Sequence, residues 1–122
     1  MKAAYIDHPG TPEQIHYGDL PMPVIGKQDV MVKVIAVTVN GVDTYIRSGQ
    51  FQMDMPLPLI IGRDMTGEVV DVWEEVSRFH IGDLVWTNNQ GYDGRQGSLA
   101  RLAKRSSNAN NCLYCSGCSA MC

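Results

Sequence analysis

The chain has 122 residues, 44% of them hydrophobic and 19% charged, with a formal net charge of −3. That length is one ordinary domain, and that composition buries a real core, which excludes global disorder. The acidic balance, with Lys104–Arg105 as the one adjacent basic pair, argues against a nucleic-acid partner, and no apolar stretch is long enough to cross a bilayer. No apolar leader opens the chain, and residues 1–111 carry no cysteine, so a secreted disulfide scaffold is disfavoured and a cytoplasmic protein expected.

Lys2–Ile6 (KAAYI) reads as an opening strand and His8–Gly10 (HPG) as a turn. Glu13–Leu20 alternates loosely, with Ile15 and Tyr17 on one face, and PMPVIGKQD after it is an irregular loop. Asp29–Val39 (DVMVKVIAVTV) is the strongest strand, with Val30, Val32 and Val34 on one face and Met31, Lys33 and Ile35 on the other. Asn40–Gly49 breaks that period. Val42 and Ile46 are four apart, as are Asp43 and Arg47, which predicts a short helix ended by Gly49 and carrying a local Asp43–Arg47 salt bridge. FQMDMPLPLIIG is a loop limited by its prolines, Asp64–Trp73 a second buried strand and Gly82–Thr87 a third. Short strands, many turns and one or two short helices predict a mainly β fold, a small, partly open β-barrel. His8, His16 and His80 are far apart and read as turn or surface residues; Met53 and Met55 suit loop packing or a pocket lining.

The pattern stops near Ala100. The domain is therefore expected over residues 1–100, followed by a cysteine-rich tail, disordered or out of frame, over 101–122. Cys112, Cys115, Cys118 and Cys122 follow C-x2-C-x2-C-x3-C. Three readings of that tail stand side by side. Thiolates at this spacing suit zinc or an iron–sulfur cluster. A disordered, redox-sensitive tail is the second. The third is a shifted reading frame after Ala100, in which the bases of residues 110–115 regroup to encode an apolar run.

VNGVDTYIRSG (Val39–Gly49) resembles a signature of the zinc-independent, zeta-crystallin-like quinone oxidoreductases of the medium-chain dehydrogenase/reductase superfamily. MKAAYIDHPGTPEQI, PLPLIIGRDMTGEVVDV, VSRFHIGDLV and GSLA match further family segments in order, so the resemblance covers roughly residues 1–100. It implies a GroES-like β-barrel that serves as the substrate domain. In full-length relatives a Rossmann domain binds NADPH; no G-x-G-x-x-G occurs here, so this chain alone is expected to bind no cofactor and to be inactive.

Zinc-dependent relatives carry Cys-Gly-x-Asp where this chain has Asn40-Gly41-Val42-Asp43, and Gly-His-Glu where it has Gly62-Arg63-Asp64. The resemblance therefore implies no catalytic zinc. It places Asn40 and Tyr45 at the catalytic centre as hydrogen-bond donors to the reacting oxygen, and Asn40, Gly41 and Tyr45 at the cofactor. The residues by themselves equally suit a helix cap at Asn40 and packing with a surface hydroxyl at Tyr45. Phe51, Trp73 and Arg101 depart from the usual tyrosine, glycine and glutamate. The function implied is an NADPH-dependent quinone or enone oxidoreductase acting on a small molecule, with room for a homo-oligomer. The alternatives are a metal-binding redox protein using the cysteines and a non-enzymatic GroES-like binding module.

Overall fold

The computed structural model describes residues 1–51, 53–88, 90–91, 94–107 and 113–115. Strand β1 (Lys2–Ile6) is followed by a short 3-10 turn at Pro12–Gln14, β2 (Ile15–Asp19), β3 (Asp29–Thr38) and helix α1 (Gly41–Ser48). Then come β4 (Leu59–Ile60), β5 (Asp64–Val72), β6 (Leu84–Thr87), β7 (Leu102–Ser106) and β8 (Leu113–Cys115). They form a three-stranded sheet, β2-β1-β4, and a five-stranded sheet, β7-β3-β5-β6-β8, with these strand pairs antiparallel. The expected mainly β, partly open architecture is what the chain adopts. Among the described residues the two sheets do not close into a barrel, and they are stitched by residues 98–101: Ala4 N–H donates to Leu99 O, Arg101 N–H to Lys2 O, and Val34 N–H to Arg101 O.

The larger core is built from the inward residues of strands β3, β5, β6 and β7. Val30, Val32, Met65, Val69, Val85 and Ala103 cluster with Phe79, and Val30, Val32 and Val69 are fully buried. The V-x-x-F-x-x-G-D-x-V segment has a physical reading. Phe79 enters this core, Gly82 takes a left-handed φ of 97°, and Asp83 Oδ2 accepts from His80 N–H at 2.9 Å to tie the turn before β6. Alternation along β3 breaks twice: Met31 is buried with Val30 and Val32, and inward packing passes from Val34 to Val37, beside a register shift between Val34 and Ala36. A register shift between Met31 and Val32 in the pairing with β5 is a bulge, and a bulge re-aims the side chains around it.

Several elements differ from the sequence expectation. β4 arises inside the stretch read as a Pro-limited loop, because Ile60 N–H is taken by the Gln96 side chain and Ile61 N–H by Ala4 O. β7 runs past the boundary expected near Ala100: Leu102 to Ser106 pair with Lys33 to Asp29 and extend the sheet. β8 pairs with β6 and carries Cys115; Cys112, Cys118 and Cys122 lie outside the described residues, and so does the metal-site reading of the four cysteines. His8, His16 and His80 are exposed. Met53 and Met55 pack against the second core cluster of Ile6, Ile46, Leu59 and Ile61. Among the described residues no helix is long and apolar enough to cross a membrane.

Candidate functional site

The end of β3 delivers the chain into α1 at Asn40. Asn40 has extended backbone angles and occupies the N-cap position; its carbonyl accepts the Asp43 N–H at 3.0 Å. Asp43 reaches back, and its Oδ2 accepts the Asn40 N–H at 2.8 Å, the carboxylate half of a capping box. At the other end Gly49 adopts φ 84° and returns its N–H to Ile46 O, an αL termination that a Cβ would disfavour. Ile46 is the helix's buried anchor, and such burial contributes about 1.5–3 kcal/mol. The expected Asp43–Arg47 salt bridge is not made. Arg47 Nη1 instead donates to Gly10 O at 2.6 Å, pinning the helix to the turn after β1, while Asp43 is buried with its Oδ1 unpartnered. Capping won because the amide lies within the carboxylate's reach and the first turn of a helix favours an anion.

The Asn40 oxygen is turned toward the Asp43 N–H as the other half of the capping box, without closing a full hydrogen bond. The Asn40 Nδ2 donates to Asp64 Oδ2 at 2.7 Å and to Thr38 Oγ1 at 3.2 Å, and the Thr38 hydroxyl donates to the same Asp64 oxygen at 3.1 Å. The carboxylate fixes the orientation of the carboxamide, since the reverse would set a carbonyl oxygen against an anion. The nitrogen end is therefore spent on protein partners, and the oxygen end is the acceptor that remains. Arg63 stands beside Asp64, and its permanently charged guanidinium has no acceptor to offer.

Asp64 is held in turn from behind. The fully buried Ser98 donates its hydroxyl to Asp64 O at 3.1 Å, and Gly62, with φ 104°, leaves the space that Ser98 and Leu99 fill. Gly97 is pressed against the carbonyls of Ile60 and Gly62, where a Cβ has no room. Past β6, Gln90 is buried: its N–H donates to Arg63 O at 2.9 Å and its Nε2 to Thr87 Oγ1 at 2.8 Å. Thr38, Asp64, Thr66, Trp86, Thr87 and Asn88 line a hollow of about 300 Å³ with Asn40 at its rim. Trp86 lies across from Thr66 and is 45% exposed, an aromatic wall open to solvent.

Tyr45 is 49% exposed and meets Phe51 edge to face, with ring centroids 6.0 Å apart. No hydrogen bond joins it to Asn40 among the described residues. Asn40 thus caps the helix in which Gly41 and Tyr45 lie, whereas Thr38, Asp64 and Trp86 were not singled out from sequence as site residues. Asp64 alone left a signal, as the residue after Arg63 at the Gly-His-Glu position. Among the described residues no group of three or more His, Cys, Asp or Glu side chains is gathered to hold a metal ion.

The family model for the alcohol dehydrogenase GroES-like domain matches residues 26–121. The chain belongs to this family. The matched GroES-like region therefore extends beyond Ala100 and takes in β7 and β8. Relatives of the domain include the quinone oxidoreductase of Lama guanicoe, 39% identical over 90 residues that are 73% of this chain and 27% of the relative. The L-threonine 3-dehydrogenase of Pectobacterium atrosepticum is 37% identical over 75 residues, 60% of this chain and 21% of that protein. In structure, the GroES-like chain is similar to a quinone oxidoreductase of Pseudomonas syringae pv. tomato DC3000, with TM-score 0.81 and 31% identity over 93% of this chain and 33% of that one. Mycobacterial Rv1454c, solved in complex with NADPH, superposes with TM-score 0.73 at 29% identity, covering 88% of this chain and 32% of that chain. The chain thus spans about a quarter of the length of these curated relatives, and the family it joins is one of oxidoreductases.

Proposed function

We propose that this chain is the substrate domain of an NADPH-dependent, zinc-independent oxidoreductase that reduces a quinone or conjugated carbonyl compound. The observation that carries the reading is the Asn40–Asp64 contact at 2.7 Å. Where zinc-dependent relatives are expected to place a thiolate, this chain has a carboxamide whose nitrogen end is bound to the Asp64 carboxylate, and where they place an imidazole it has Arg63. An amide nitrogen and a guanidinium do not ligate zinc, and the cation of Arg63 repels it. Relatives named as quinone oxidoreductases and a neighbour solved with NADPH support the same reading.

NADPH, when bound, supplies the hydride. The chain's own residues divide the remaining work by hydrogen-bonding sense. Asn40 keeps its carboxamide oxygen as an acceptor, suited to the amide N–H of a nicotinamide carboxamide. Tyr45 then supplies the donor: its phenol holds the carbonyl oxygen as negative charge develops there, and solvent reaches the half-exposed side chain to deliver the proton. Trp86 offers a flat apolar face for a ring. The reading carries a small-molecule substrate, a cytoplasmic setting, and neither nucleic acid nor membrane as partner.

The test uses the polypeptide that carries this domain together with its dinucleotide-binding part, stripped with a chelator. Quinone-dependent NADPH oxidation should persist at full rate, and Tyr45→Phe should lower kcat by about 10–100-fold, the scale of losing one hydrogen bond to a developing oxyanion. Activity that vanishes on chelation and returns with zinc would overturn it.

A further inference from the structure

We propose that a second cavity, walled by the 20–24 loop and strand β7, binds an apolar carboxylate such as a medium-chain fatty acid through the guanidinium of Arg105. The cavity measures about 540 Å³ and shares no lining residue with the Asn40 hollow among the described residues. Its walls are apolar: Leu20, Pro21, Leu57, Ile60 and Leu102. Cations mark its polar end. Arg95 and Arg105 both line it, and Lys104 and Asp29 add one charge of each sign.

Arg105 is the unusual member. It sits in β7 opposite Val30 and is 4% exposed. Its Nη1 donates to the Lys104 carbonyl at 2.6 Å and its Nη2 to the Gly97 carbonyl at 3.2 Å, while Nε has no partner. Neutral carbonyls satisfy some of its N–H groups and none of its charge. Among the described residues no carboxylate pairs with it, because Asp29 Oδ2 is engaged with Gly26 N–H at 2.7 Å and faces Lys104 at 3.8 Å. Burial, and secondarily Arg95, pushes the Arg105 pKa down to about 9. A guanidinium keeps its proton in a protein, so the shift expresses an uncompensated buried charge. The neighbouring glutamines do not relieve it. Gln96 is spent on Ile60 N–H and Pro58 O, and Gln90 on Thr87 and Asn88. What Arg105 lacks among the described residues is an anionic partner, and the cavity's walls demand that such an anion carry an apolar body. A carboxylate offers the planar pair of acceptors that a guanidinium edge takes in parallel.

The probes are octanoate and its neutral counterpart 1-octanol, titrated calorimetrically into the whole 122-residue chain. Octanoate should bind at least about tenfold more tightly than octanol, the factor that a charge-assisted hydrogen bond supplies. In Arg105→Met that preference should disappear while octanol binding is kept. Equal affinity for the two probes, no binding of octanoate, or a preference that survives in Arg105→Met would overturn the proposal. If Arg105→Met does not fold, the two-probe comparison on the unaltered chain decides by itself.

Discussion

Asn40 shows how a single contact sets the chemistry a side chain can offer. Its carboxamide has a donor end and an acceptor end, and Asp64 consumes the donor end. Replacing that carboxylate by the isosteric amide tests the point. Asp64→Asn turns a charge-assisted bond into a neutral one and should cost about 1 kcal/mol of stability. The Asn40 side-chain amide resonances should move to the positions of a solvent-exposed asparagine. Resonances that stay in place would mean that Asp64 does not orient the group. Asn40 and Tyr45 stood out in the sequence because they fall inside one continuous segment, Val39–Gly49. The partnership with Asp64 did not, because it spans 24 residues and follows from the pairing of β3 with β5. Asp43 and Arg47 make the complementary case: their i, i+4 spacing is real, but each has a stronger claim elsewhere, the Asn40 amide and the Gly10 carbonyl.

At the scale of elements, the site is positioned by close backbone approach. The 60–64 segment, the 97–99 segment and residue 90 interlock through Gly97 N–H to Ile60 O, Leu99 N–H to Ile61 O and Gln90 N–H to Arg63 O. Gly62 is the pivot, because its left-handed φ and missing Cβ admit Ser98, which then holds Asp64. Gly62→Ala combines a forbidden backbone region with a collision against Ser98. It should destabilise the chain by at least about 1–3 kcal/mol in chemical denaturation and loosen the Asn40–Asp64 contact. A variant as stable as the parent would remove Gly62 from this role. The long strands β3 and β5 and the helix with its terminal glycine were legible, since each carries its own period and stop signal. β4 was hidden because two residues carry no period, and what makes them a strand is bonding from Gln96 and Ala4, far away in the chain.

At the scale of the molecule, the mainly β architecture followed from strand periodicity and turn residues, both local properties. The extent of the sheet did not. Leu102–Ser106 lacks alternation by composition, yet it pairs along β3 and buries Ala103 and Arg105. Register with a strong neighbouring strand overrode the local pattern, and the burial of a charged side chain followed. The same holds for the two sheets, whose joining through residues 98–101 appears in no local signal. On the proposed function, the Asn40 hollow is a metal-free site that accepts a quinone. The most direct measurement is a heteronuclear NMR titration of the chain, in excess chelator, with duroquinone, whose fully methylated ring resists addition by thiols. Saturable shifts at the Asn40 side-chain amide, Thr38 and the Trp86 indole are the expected result. Shifts absent from those groups, or appearing there only when zinc is supplied, would contradict it.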